Sequence, residues 1–132
     1  MILGTGIDLL KVSRIKKILN NYGNNFLNKV FTEVEIKKNN KFDSKENKFA
    51  KCFASKEAFV KALGTGFKKG ISYKDISLDN LSTGQPFLFL SPNIRRELNK
   101  KIPTGYKPVV NVSITDEIEY VIANVIISCE RK

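Results

Sequence analysis

A chain of 132 residues, 42% hydrophobic and 27% charged, has the composition of a soluble globular protein, and its length fits one domain over residues 1–132. It contains no histidine, which excludes histidine general bases, catalytic triads and histidine-bound metals; a catalytic metal would need oxygen ligands, as magnesium prefers. A formal charge of +10 points to an anionic partner, whether nucleic acid, a phosphorylated small molecule or an acidic protein.

No stretch approaches the about 18 consecutive apolar residues of a membrane span, and the N-terminus lacks the basic and cleavage regions of a secretion signal. Cys52 and Cys129 lie in apolar segments without motif spacing, as free thiols of a cytoplasmic protein do. Residues 1–10 read as a strand. Gly4 and Gly6 inside it mark close approach of another backbone or a ligand. Asp8, between Ile7 and Leu9, is the anomaly: an unpaired carboxylate there is costly to bury, and a water-facing strand end is the plain alternative. Residues 12–19 place Val12, Ile15, Ile18 and Leu19 on one helical stripe, with Arg14, Lys16 and Lys17 outside it. Residues 20–25 break that helix at Gly23. Thr32 and Glu35 match a capping box that opens a short helix towards Asn39.

The polar residues 38–48 read as a loop, with Asp43 or Ser44 capping a long helix over residues 44–63. Phe53, Ala54, Ala58, Phe59, Ala62 and Leu63 cover most of its surface, which predicts deep burial, and Gly64 follows where a left-handed terminating residue belongs. Glu57 and Lys61, four apart, project from one side. Such a pair is either a salt-bridged strut or half of an active site, and periodicity alone favours the strut. Gly64, Gly66 and Gly70 then bracket Phe67, Lys68 and Lys69, a basic glycine-rich loop that suits phosphate but matches no nucleotide-binding fingerprint.

Strands are expected over 75–81 and 86–90, joined by a turn at 82–85. Ser91 and Pro92 start a helix with Ile94, Leu98 and Ile102 on its apolar seam. Residues 109–115 and 120–129 alternate as strands around a turn at Asp116 and Glu117. The second carries one wholly apolar face and one mixed face, which predicts cover on both sides, a helix on one and another subunit on the other. The class is therefore α+β, a mostly antiparallel sheet packed on one long buried helix with smaller helices around it.

Taken together, these blocks resemble the holo-(acyl-carrier-protein) synthases, the short bacterial type of 4'-phosphopantetheinyl transferase. The carriers are Gly4-Thr5-Gly6-Ile7-Asp8 with Arg14-Ile15, then Phe53-Ala54-Ser55-Lys56-Glu57-Ala58, Lys61-Ala62-Leu63-Gly64-Thr65-Gly66, Gly84-Gln85-Pro86 and Val112-Ser113-Ile114-Thr115. The resemblance implies transfer of the phosphopantetheine arm of coenzyme A to a serine of apo acyl carrier protein, in support of fatty acid biosynthesis. It implies Mg2+ held by Asp8 and Glu57, with catalytic roles for Glu57 and Lys61; Glu57 or a metal-bound water would take the serine proton. It further implies coenzyme A contacts from Asp8, Lys61, Gly64, Thr65, Gly66 and Lys68, and docking of an acidic carrier protein on Arg14, Lys17 and Phe26. A homotrimer with sites between subunits is the expected assembly. Cys52 stands where the family often carries arginine, so a phosphate contact is either missing or supplied by Lys51, and no catalytic role is read for Asp116. The rival is a small basic nucleic-acid-binding module, which requires aromatics interleaved with basic residues on an open sheet face.

Overall fold

The computed structural model describes residues 1–68 and 70–132. In chain order the elements are β1 (Ile2–Lys11), α1 (Val12–Tyr22), α2 (Asn24–Val30), α3 (Glu33–Asn39), α4 (Lys45–Leu63), β2 (Ile76–Asn80), β3 (Pro86–Leu90), α5 (Pro92–Asn99), β4 (Tyr106–Asp116) and β5 (Tyr120–Arg131). A single 3-10 turn, Tyr73–Asp75, leads into β2. The class is α+β, as expected, but the strands divide into two antiparallel sheets. One is three-stranded in the order β1-β5-β4 and the other is the β2-β3 pair.

The core lies where α4 crosses the larger sheet. Val121, Ala123, Val125, Ile127 and Cys129 of β5 are all buried, while Tyr120, Ile122, Asn124, Ile126 and Ser128 alternate on the opposite face. α4 is buried around most of its circumference, Phe49, Phe59 and Leu63 almost completely. Its nineteen residues run about 28 Å at the α-helical rise. It stops at Gly64, whose N–H makes the last helical bond to the Val60 carbonyl at 3.0 Å and whose positive φ of 83° turns the following chain out of the helix.

β1 meets α4 backbone to backbone. A Cβ at Gly6 would collide with the carbonyl of Ala58, and one at Gly4 with the carbonyl of Ala62. Glycine on the strand opposite alanine on the helix is what allows the two main chains to touch. Asp8, two residues beyond Gly6, shares its strand face and so points at the same helix.

Local signals set most boundaries. Thr32 and Glu35 make both bonds of the capping box that opens α3, and the Ser91 hydroxyl caps α5 with Pro92 in its first turn. Elsewhere the chain differs from expectation. Residues 20–25 break the helix only at Gly23, and a further helix, α2, follows because Leu27 and Val30, three apart, bury into the core. The loop expected over 38–48 shrinks to 40–44, and Ser44 takes the N-cap place of α4 without a side-chain capping bond. β4 and β5 run longer than expected because their ladder continues out to Tyr106 opposite Arg131.

Candidate active site

Asp8 and Lys61 meet where β1 crosses the last turn of α4. The Lys61 ammonium donates to Asp8 Oδ1 at 3.1 Å and to the Ile7 carbonyl at 3.0 Å. The Lys61 side chain is 53% exposed and that of Asp8 16%, so the pair is held by protein on one side and open on the other. The amine four residues beyond Glu57 therefore takes its partner from β1, 53 positions away in sequence, and the i,i+4 spacing with Glu57 produces no ion pair.

Glu57 has a different partner. The Tyr73 hydroxyl donates to Glu57 Oε1 at 2.7 Å. Burial, the bond to Glu57 and the negative charges of Glu57 and Asp8 all push the Tyr73 pKa up, so the hydroxyl keeps its proton and donates it. The Tyr73 ring lies between two others, stacked on Phe67 at 3.7 Å and on Phe53 at 5.5 Å between centroids. Asp8, Glu57 and Lys61 thus gather around one corner of the fold, two carboxylates and one ammonium. Among the described residues no group of three or more acidic, histidine or cysteine side chains could enclose a metal ion. A divalent cation here would have two hard carboxylate donors from the chain, the donor set that magnesium takes when water and substrate phosphates complete its shell.

Directly beneath Glu57, Lys56 points the other way. Its ammonium and the Glu35 carboxylate, both side chains 0% exposed, are 2.6 Å apart, and the ammonium also donates to the carbonyls of Val30, Tyr73 and Ile76. Burial lowers the Lys56 pKa, with Glu35 pulling against that shift.

The remaining expected residues sit as follows. Gly64, Thr65 and Gly66 form the loop leaving α4, with the Thr65 hydroxyl turned onto the Gly66 carbonyl and Lys68 exposed; Lys69 lies outside the described residues. Lys101 donates to the Leu63 carbonyl and adds a cation beside that loop. Arg14 and Lys17 are exposed on α1, and Phe26 on α2 is half-buried, edge-on to Phe31. Lys51 pairs with Asp116 at 3.4 Å and Asn47 donates to the same carboxylate, so Asp116 ties the β4-β5 turn to α4. Cys52 and Cys129 are free and buried. A cavity of about 420 Å³ nearer the start of α4 is lined by Lys38, Lys48 and Lys51 with Phe42 and Pro86.

A model of the 4'-phosphopantetheinyl transferase superfamily matches residues 4–110. The holo-(acyl-carrier-protein) synthase of Ruegeria sp. is 43% identical over 117 residues, covering 89% of this chain and 82% of its own. The chain belongs to the holo-(acyl-carrier-protein) synthase family. Among solved structures, the synthase of Neisseria meningitidis superposes with a TM-score of 0.87 at 31% identity, covering 97% of this chain and 99% of that one. The synthase of Bacillus anthracis, solved in complex with CoA (3',5'-ADP), gives 0.77 at 32% identity and covers 96% of each chain.

For a synthase of this family, two features of the site are absent from the sequence reading: Tyr73 on Glu57 and Lys101 on the end of α4. Neither carries a local signal. Tyr73 lies sixteen residues from its acceptor and Lys101 thirty-eight from its own.

Proposed function

We propose that this chain transfers the 4'-phosphopantetheine moiety of coenzyme A to a serine hydroxyl of apo acyl carrier protein, releasing 3',5'-ADP, in support of fatty acid biosynthesis. The observation that carries the reading is the gathering of Asp8, Glu57 and Lys61 at the crossing of β1 and α4 in a chain of this family. Transfer of a substituted phosphoryl group needs positioning and charge neutralisation more than covalent chemistry by the protein, and these residues supply both. Asp8 and Glu57 would hold Mg2+, which, when bound, polarises the diphosphate and offsets charge on the leaving group. Lys61, anchored by the Ile7 carbonyl yet half open, is suited to pair with the departing phosphate. Gly64, Thr65, Gly66, Lys68 and Lys101 line the neighbouring loop, where backbone amides and lysines favour phosphate.

The carrier protein would dock on Arg14 and Lys17 with Phe26 as the apolar contact, its acidic surface drawn by a positive one. A homotrimer goes with this reading. The face of the larger sheet turned away from α4 exposes Ile7, Leu9, Tyr120 and Ile126 together, and Asn124 Oδ1 at its centre is buried with no partner among the described residues. A second copy on that face would cover the apolar side chains and bring a donor to the amide oxygen. The nucleic-acid alternative requires stacking rings on this face, where aliphatic side chains stand with Tyr120 alone. The two free thiols fit a cytoplasmic location, and among the described residues no helix is long and apolar enough to cross a membrane.

The test is to incubate the protein with coenzyme A, Mg2+ and an apo acyl carrier protein and weigh the carrier by mass spectrometry. A gain of one phosphopantetheine is expected with the wild type and none with Glu57→Gln. An unmodified carrier, beside an active control synthase, overturns the proposal.

A further inference from the structure

We propose that Tyr73 is a positioning residue for Glu57, its hydroxyl fixing the carboxylate in the orientation in which it works. The inference rests on the transfer proposed above. A glutamate near the end of a helix has three side-chain torsions to lose before its carboxylate stands in one place, and that ordering opposes catalysis unless it is completed beforehand. The Tyr73 hydroxyl is the hydrogen-bond partner that Glu57 has among the described residues, at 2.7 Å. It occupies Oε1 alone, leaving Oε2 for a ligand or cation.

The tyrosine is itself held at two places. Its ring lies between Phe67 and Phe53, which removes rotation about the side chain. Its carbonyl accepts from the Lys56 ammonium at 2.9 Å, and that ammonium is pinned in turn by Glu35 and by the carbonyls of Val30 and Ile76. The buried ion pair beneath α4 and the loop that carries Phe67 are thereby linked to the carboxylate through one side chain. A hydroxyl merely satisfying itself on the nearest acceptor would not need such support, and removing it would leave turnover intact.

Tyr73→Phe keeps the stacked ring and the backbone contact and deletes only the donor. With folding checked by circular dichroism and Tm, the expected result is a fall in kcat of about tenfold to thirtyfold with the KM for coenzyme A within about twofold. Without any carrier protein, Mn2+ binding in the presence of coenzyme A, followed by electron paramagnetic resonance, should weaken about threefold to tenfold, and Tyr73→Phe should add nothing to the loss already caused by Glu57→Gln. Turnover and Mn2+ affinity both within twofold of wild type, or a loss confined to KM, overturn the inference. If Tyr73→Phe does not fold, Phe67→Leu frees the ring while keeping the hydroxyl; a several-fold drop in kcat is then expected, and an unchanged kcat overturns it. A wild-type protein that leaves the carrier unmodified sinks the transfer reading instead, while the Mn2+ measurement still judges Tyr73.

Discussion

Two lysines five residues apart on α4 form ion pairs of opposite character. Lys56 is wholly enclosed with Glu35 and donates to three carbonyls, one at the end of α2 and two in the stretch that leads into β2. Lys61 shares Asp8 with one carbonyl and leaves half its side chain in water. An ammonium without vacant donor directions, cut off from solvent, can only hold segments together. One that is tethered on one side and open on the other can still receive an anion. The same residue type on one helix thus divides into a fastening and a candidate site, and what divides them is the number of partners on the inner side.

The largest effect should come from Lys56→Met, which strands the Glu35 carboxylate in the core. A loss of about 3–5 kcal/mol is expected, a large share of the stability of a domain this size, seen as a fall in Tm of about 10–20 °C by calorimetry. A fall of only a degree or two would remove the fastening role. Next is Lys61→Ala, for which turnover in the mass-spectrometric assay should drop about a hundredfold or more while Tm stays within about 2 °C. A large Tm loss with near-normal turnover would make Lys61 another fastening and erase the contrast.

Arg14, exposed on α1, extends the scale to a charge without inner partners among the described residues. Arg14→Glu should weaken carrier binding about tenfold by surface plasmon resonance and leave the KM for coenzyme A within about twofold; equal losses would contradict the docking role. The smallest expected effect is that of salt. Between low and about 0.5 M NaCl the Tm loss of Lys56→Met should not change, because a buried pair is little screened, whereas carrier binding by the wild type should weaken.

Much of the fold was readable locally. The capping box at Thr32 and Glu35, the cap at Ser91 and the stop at Gly64 are hydrogen-bond patterns within a few residues, and the alternation in β5 separates its two faces without reference to anything else. The candidate residues Asp8, Glu57 and Lys61 stand out in the sequence, but their pairing does not. Spacing put Lys61 beside Glu57, and the fold gave it to Asp8.

What the sequence by itself determined is therefore most of the elements, α2 excepted, and the candidate residues for chemistry, because helix caps, strand alternation and residue type are properties of short stretches. The tertiary structure alone decided which lysine is enclosed, that Tyr73 stands on Glu57, and that Asp8 reaches α4. Each depends on an approach between distant backbones. The closest of these, β1 on α4, exists because Gly4 and Gly6 carry no Cβ where Ala58 and Ala62 present their carbonyls. The glycines announced a close approach; only the folded chain could name what approached.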